Sequence, residues 1–270
     1  MASDLRRPLV GLLLAVLALT LLTTAPAAPA GARVADGVDD VVGLPRGTDA
    51  DYQLGGADAT PRHVGIVARD RTARPAAGRY NICYVNGFQT QPNEKRFWRE
   101  RWDLVLKRGG KPVVDANWGE WLLDLRTPAK RQRLAAIVGR WTAGCARDGF
   151  DAVEYDNLDS FTRSRGLLDR ADALAFARLL VERAHDVGLA VAQKNLAGYD
   201  GTRIGFDFAV AESCAQWDEC GAYVADFGRD VVMVEYRAAD FREACRGYGR
   251  THPVVLRDLA LRPSYTPRFC

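Results

Sequence analysis

Residues 149–159 have the sequence Gly149-Phe150-Asp151-Ala152-Val153-Glu154-Tyr155-Asp156-Asn157-Leu158-Asp159. Apolar and polar side chains alternate in this stretch, as in a β-strand whose successive side chains point to opposite faces. Val153 and Tyr155 then share an apolar face, where we expect Tyr155 in the core, and Glu154 and Asp156 share the other. Because burying two carboxylates costs several kcal/mol unless they are paired or hydrated, this strand end predicts a catalytic site. The alternative is an Asp/Asn turn after an ordinary strand.

Further segments of strand length are rich in β-branched or aromatic residues and are bounded by polar breaks. They comprise residues 63–68, 80–86, 112–117, 189–195, 206–212, 231–236 and 254–258. Amphipathic patterns between several of them predict helices over residues 93–107, 128–148, 170–187 and 238–246. Thr127 is a good N-cap for the second helix, and Pro128 suits its first position.

This alternation of apolar strands and helices is typical of a parallel sheet with helices outside. Eight strand candidates predict a (β/α)8 TIM barrel, an α/β fold, over residues 51–270. The first β–α connection is predicted to be irregular, because only about ten residues separate the first two strands. Residues 51–54 are an alternative first strand. A doubly wound open sheet is the competing architecture, although no Gly-rich phosphate fingerprint follows any strand.

The first residues, 1–32, are predicted to form a secretory signal peptide. Arg6 and Arg7 precede an apolar run from Leu9 to Leu22 that is short for a membrane span. An uncleaved anchor is the alternative. Residues 33–50 show no clear period and are predicted to form a flexible N-terminal arm. We therefore expect a secreted, extracellular and monomeric protein without membrane association once the signal is removed.

The net charge of +3 gives no electrostatic argument for binding nucleic acid. The three histidines, His63, His185 and His252, are scattered and make no zinc spacing. We therefore predict neither a metal site nor a cofactor.

Six cysteines in an exported protein are typical of three disulfides. Many pairings are open to six cysteines, so the sequence alone does not fix the connectivity. The spacing favours a local Cys214–Cys220 clamp and a Cys245–Cys270 bond at the C-terminus, which leaves Cys83 with Cys145.

Polar side chains concentrate at the predicted C-terminal ends of the strands, where TIM barrels place their active sites. They are Asn86, Asp115, Asn117, Glu154, Asp156, Asn157, Lys194, Asn195, Glu212, Glu235 and Asp258. Paired carboxylates suit glycoside hydrolysis, in which one acid donates a proton and the other attacks. A calcium or magnesium site is an alternative, against which Lys194 counts. Aromatic residues on or after the strands could cover a sugar: Tyr84, Phe88, Trp118, Trp121, Tyr199, Trp217 and Tyr236.

Residues 149–159 resemble the central motif of glycoside-hydrolase family 114, whose TIM-barrel enzymes are associated with endo-α-1,4-polygalactosaminidase activity. Residues 51–54, 82–85, 118–124, 193–195, 211–214 and 234–236 resemble other motifs of the family in the same order. The resemblance covers roughly residues 50–270. Tyr155 stands where the family often has Pro, and Asn86 where it often has Ser, departures that concern sugar specificity more than chemistry.

The resemblance implies that Asp156 is the nucleophile and Glu212 the general acid/base, with carboxyls about 5–5.5 Å apart if configuration is retained. It also implies that Glu154, Lys194, Asn195 and Glu235 contact substrate or set pKa values. The other predicted substrate-binding residues are Tyr84, Asp115, Trp118, Trp121, Asn157, Tyr236 and Asp258. We expect a secreted hydrolase of an α-linked polysaccharide, with a galactosamine-rich polymer as the candidate. The alternative is a catalytically inactive, secreted carbohydrate-binding barrel.

Overall fold

A computed structural model of the protein describes residues 41–270, which form a TIM barrel. Its eight parallel strands are β1 (Asp49–Gln53), β2 (Val64–Asp70), β3 (Tyr80–Asn86), β4 (Ala152–Asp156), β5 (Ala190–Lys194), β6 (Phe208–Glu212), β7 (Val231–Glu235) and β8 (Val254–Leu256). Each strand pairs with the next in chain order, and β8 lies against β1. The Arg257 guanidinium, 3.0 Å from the Asp51 carboxylate, bridges these two strands. A last short strand, Arg268–Phe269, pairs antiparallel with β8.

Five α-helices lie in the connections: α1 (Lys95–Arg99), α2 (Pro128–Asp148), α3 (Arg170–His185), α4 (Cys220–Phe227) and α5 (Ala238–Tyr248). The start of α2 is as predicted, with the Thr127 side chain accepting a hydrogen bond from the Lys130 N–H. Gly149, at φ 91°, ends this helix in the left-handed conformation that glycine adopts without strain. The predicted helix over residues 93–107 is shorter, because α1 gives way to a 3-10 turn at Trp102–Leu104.

The prediction that residues 112–117 form a barrel strand is wrong. They are divided between two small antiparallel hairpins, Lys107–Arg108 with Lys111–Pro112 and Val114–Asp115 with Glu120–Trp121. Pro112 has no N–H to donate to a sheet, and Val114 is exposed, so this run cannot serve as a central strand. The alternative first strand is the correct one, since β1 supplies the eighth member of the barrel.

Alternation along the strands separates two apolar regions. The barrel interior holds aliphatic and aromatic side chains such as Tyr52, Ile82 and Phe208. The opposite faces of the strands pack against the helices, and Tyr155 lies there as predicted, with its hydroxyl 2.7 Å from that of Thr142 on α2. The polar side chains that point inward therefore lie at the C-terminal ends of the strands, at the rim of the barrel.

The three predicted disulfides are confirmed. Cys83–Cys145 joins β3 to α2, Cys214–Cys220 closes the loop between β6 and α4, and Cys245–Cys270 attaches the C-terminus to α5. The first and third bonds connect segments distant in sequence, and the second stiffens a loop at the C-terminal rim.

The predicted signal peptide, residues 1–32, and residues 33–40 of the predicted arm lie outside the described residues. The rest of that arm differs from a flexible segment, because Leu44 is buried and β1 already begins at Asp49. Arg46 also pairs with Asp230, at 3.0 Å. Between residues 41 and 270, no helix is long and apolar enough to cross a membrane.

Candidate active site

Inward-facing side chains from four neighbouring strands meet at the C-terminal rim of the barrel. Tyr84 comes from β3, Asp156 and Glu154 from β4, Lys194 from β5 and Glu212 from β6. Since side chains two apart share a face, Glu154 lies one layer below Asp156, as the sequence predicts. The layers beneath are apolar, so these groups face water only through the rim.

Lys194 is the centre of this cluster. Its ammonium nitrogen lies 3.0 Å from an Asp156 oxygen and 3.1 Å from an oxygen of both Glu154 and Glu212. Only 2% of the Lys194 side chain is exposed. Burial alone would lower its pKa, but the three carboxylates outweigh burial and hold the pKa well above the ordinary value. The lysine is therefore a permanent cation that holds three acids in place.

Three tyrosine hydroxyls each donate a hydrogen bond to one of these acids: Tyr52 to Glu154, Tyr84 to Asp156 and Tyr236 to Glu212. Burial and the nearby carboxylates keep the pKa of each tyrosine well above the usual value, so all three retain their protons. Each carboxylate thus contacts the Lys194 ammonium group and accepts an O–H bond from one tyrosine, which fixes its orientation.

Asp156 is held in its ionised form. Burial would raise its pKa, but Lys194, the Tyr84 hydroxyl at 2.7 Å and the Asn157 backbone N–H at 2.7 Å together lower it. Asn157 adopts φ 71°, a left-handed conformation that lets its N–H turn back to the aspartate. A partly buried, ionised carboxylate of this kind is suited to nucleophilic attack.

Glu154 has a different environment. It is completely buried, and burial raises its pKa to about 7 in spite of the neighbouring Lys194. Its second carboxyl oxygen has no hydrogen-bond partner within residues 41–270. Since it lies below the cleft and does not line it, Glu154 supports Lys194 and cannot contact a substrate.

The spacing of Asp156 and Glu212 follows from their shared partner. One oxygen of each lies within 3.1 Å of the same Lys194 nitrogen, so these two oxygens are no more than roughly 6 Å apart. Retaining glycosidases have carboxyls about 5–5.5 Å apart, and inverting ones leave about 6.5–9.5 Å for a water molecule. The arrangement is suited to direct attack by one acid with proton transfer by the other.

A cleft of about 380 Å³ opens above the cluster. Of the predicted site residues, it is lined by Tyr84, Asp115, Trp118, Asp156, Asn157, Lys194, Asn195, Glu212 and Tyr236. The Asn195 side chain accepts a hydrogen bond from the Glu212 backbone N–H, at 3.0 Å, and so fixes the end of β6. Asp115 forms an ion pair with Arg163, at 2.8 Å.

Three other predicted substrate-binding residues do not line the cleft. The Trp121 ring is buried and packs edge-on against Trp102, because its hairpin turns this side chain inward. Glu235 is buried and accepts a hydrogen bond from the Ala215 N–H, at 2.9 Å. Asp258 follows the end of β8, and its carboxylate is held by Arg262. These predictions are corrected: the three residues shape the loops around the site.

Several lining residues were not predicted from the sequence: Asp70, Gln91, Glu120, Asp159, Arg163 and residues 259–261. Asp70 ends β2, so a longer second strand would have placed it at the rim. Glu120 and Arg163 lie in connections, where alternation gives no signal. The Asn86 side-chain amide donates to Glu120 at 2.9 Å, while burial raises the pKa of this glutamate to about 7.

Comparison with known proteins gives a family and a fold. The model of glycoside-hydrolase family GH114 matches residues 32–270. A comparison with curated proteins finds no match. The structure is similar to that of Aspergillus fumigatus Ega3 in complex with galactosamine, with TM-score 0.67 and 22% identity over 86% of this chain and 100% of that one. It is also similar to the glycoside hydrolase domain of PelA from Pseudomonas aeruginosa, with TM-score 0.53 and 16% identity over 83% and 98% of the two chains.

Proposed function

The chain belongs to glycoside-hydrolase family GH114, and on that premise we propose that it cleaves an α-linked, galactosamine-rich polysaccharide with retention of configuration. The observation that carries the proposal is the contact of one buried lysine with both Asp156 and Glu212. This contact brings the two acids close together, and Tyr84 and Tyr236 give them different hydrogen-bond donors.

In the proposed first step, an Asp156 oxygen attacks the anomeric carbon, and the glycosidic bond breaks as Glu212 gives its proton to the leaving oxygen. The product is a glycosyl ester on Asp156. In the second step, the Glu212 carboxylate takes a proton from water, and the water oxygen displaces Asp156 from the anomeric carbon. Lys194 keeps Asp156 ionised for attack in the first step, and its charge stabilises Asp156 as the departing carboxylate in the second.

The charge of the cleft supports an amino-sugar substrate. Its lining contains six acids, Asp70, Asp115, Glu120, Asp156, Asp159 and Glu212, against two cations, Arg163 and Lys194. Within residues 41–270, Asp70 forms no ion pair, so its charge faces the cleft uncompensated. A polymer with free ammonium groups would be attracted to such a surface. The complex of the similar Ega3 structure with galactosamine agrees with this choice.

The test is hydrolysis of an α-1,4-linked galactosamine polymer, its N-acetylated form and a neutral α-galactan. We expect wild-type protein to cleave the galactosamine polymer, with the α-anomer as the first product in an NMR time course. Asp156→Asn should reduce kcat by at least about a thousand-fold, since the nucleophile is lost. A slow fluorinated substrate should label the peptide that contains Asp156, and this label should be absent from the variant.

An equally inert wild type and Asp156→Asn variant across the panel would contradict the hydrolase proposal. Binding of the polymer that survives in an Asp156→Asn, Glu212→Gln double variant would then favour the carbohydrate-binding alternative. Initial release of the β-anomer would leave hydrolysis intact but contradict the retaining mechanism.

We also propose that the protein is secreted and acts as a monomer. Three disulfides support export, because such bonds persist in oxidising compartments. The predicted signal peptide is tested by N-terminal sequencing of protein recovered from the culture medium. Light scattering of the same sample tests the monomer.

A further inference from the structure

Two tryptophans among the described residues are largely exposed, and both lie on loops at the C-terminal rim. Trp118 is 54% exposed and lines the cleft. Trp217 is 64% exposed and lies outside the cleft lining, five residues after Glu212. An indole is a large, flat surface with one polar N–H group, and its place at this rim suits contact with a ligand that extends beyond the cleft.

The loop that carries Trp217 is held firmly. The Cys214–Cys220 disulfide closes it at its base, with 4.8 Å between the Cα atoms. The Ser213 N–H donates to the Val234 carbonyl at 2.8 Å, and the Ala215 N–H donates to the Glu235 carboxylate at 2.9 Å. Both bonds attach the loop to β7. The indole is therefore presented at a fixed place on the rim.

The position of this loop places Trp217 on the same rim as Asp156 and Glu212. Trp118 follows β3, Asp156 ends β4 and Glu212 ends β6, so the strand order places the two acids between the two exposed indoles. Five residues span at most about 17 Å when fully extended, which keeps Trp217 within reach of a sugar chain that crosses Glu212.

We propose that Trp217 is a distal sugar-binding residue, which stacks on an amino-sugar unit of a chain whose scissile bond lies at Asp156 and Glu212. The proposal rests on the function proposed above. The flat indole covers the C–H face of a sugar ring, and its N–H, on a side chain that is largely exposed, can donate to a hydroxyl. The adjacent Asp218 is exposed and adds a negative charge suited to an ammonium group.

The experiment measures kcat/KM on α-1,4-galactosamine oligomers of increasing length and on the polymer, with the full, disulfide-bonded protein. For Trp217→Ala, we expect a loss on the polymer at least ten-fold greater than its loss on the shortest oligomer that is cleaved. Trp217→Phe should restore most of the polymer activity, because a flat ring remains. Trp118→Ala should lower kcat/KM by a similar factor on short and long substrates, since Trp118 lines the central cleft. Val187→Ala alters an exposed apolar residue after α3 and should leave kcat/KM unchanged on both the oligomers and the polymer.

The outcomes separate this inference from the proposed function. If wild-type protein cleaves the oligomers and Trp217→Ala has the wild-type kcat/KM at every chain length, Trp217 does not bind sugar. A loss by Trp217→Ala that is equal at every length would also overturn the inference, because it would indicate an effect on the central site. A wild type that cleaves no member of the series contradicts the proposed function, and the inference falls with it.

Discussion

Lys194 is the residue on which the site depends most. It compensates three acids that would otherwise repel each other at the floor of the cleft. Removing one partner of a buried ion pair leaves an uncompensated charge and typically costs about 3–5 kcal/mol. We therefore expect Lys194→Met, which keeps most of the length of the side chain, to lower the free energy of unfolding in urea by about that amount.

A double-mutant cycle with Glu154→Gln identifies the source of this loss. Glu154 is the most deeply buried of the three acids, so removing its charge should recover part of the stability lost in Lys194→Met. Glu182→Gln, at an exposed position on α3, is the matched control and should recover none. Strictly additive losses from Lys194→Met and Glu154→Gln would contradict the proposed coupling.

The sequence predicted which polar side chains meet at the rim where a strand carries them. Period-two alternation places Glu154 and Asp156 on one face, and the rim rule adds Lys194 and Glu212. Their convergence on one ammonium group was not predictable, because it depends on the stagger between strands. Glu120 and Arg163 were missed because loop conformation brings them to the cleft. Trp121 was wrongly placed in the site for the same reason.

The loop between β6 and α4 is anchored by Glu235, which ends β7 and accepts a hydrogen bond from the Ala215 N–H. Burial raises the pKa of Glu235 to about 7, above the unfolded value of about 4.3. The folded protein therefore binds this proton more tightly. The stability it contributes is fully present below about pH 4.3 and is lost as the pH rises to about 7. We expect Glu235→Gln to flatten this decline in unfolding free energy, because glutamine does not titrate and its carbonyl can still accept from Ala215.

Urea unfolding at about pH 4.5 and about pH 7.5 measures this effect. Wild-type protein should lose more stability between the two values than Glu235→Gln does. Glu182→Gln removes an exposed carboxylate and should retain the wild-type decline. An equal decline in wild type and Glu235→Gln would show that Glu235 does not hold a proton in the folded protein.

Elements with strong periodicity or a clear cap were predictable, whereas the role of residues 112–117 and of β1 was not. The start of α2 at Thr127 and Pro128 and its end at Gly149 follow from local chemistry that any context preserves. The 112–117 run has the composition of a strand, but partner strands decide whether such a run enters a sheet. β1 was only an alternative, because Asp51 and Gln53 make it look polar; in the barrel both are buried and hydrogen-bonded to each other at 2.8 Å.

For the whole molecule, charge separates the cleft from the rest of the surface. The protein carries a net charge of +3, yet acids outnumber cations at the cleft. A cationic polymer would thus be guided to one end of the barrel by a field that salt screens. Fold topology concentrates these charges, since the C-terminal ends of all eight strands meet at one rim.

The salt dependence of KM tests this directly. Raising the NaCl concentration from about 0.01 M to about 1 M shortens the screening length from about 30 Å to about 3 Å. We expect KM for the galactosamine polymer to rise at least about ten-fold over this range, with a much smaller change in kcat, because bound ammonium groups are screened less than approaching ones.

Asp70→Asn should weaken this salt dependence, since it removes an acid that lines the cleft and has no cationic partner among the described residues. The matched control is Asp186→Asn, which makes the same charge change at the exposed end of α3, where the chain returns to the opposite end of the barrel. An equal change from both variants would mean that overall charge governs the attraction. A KM that is independent of salt would contradict recognition of a polycation at this cleft.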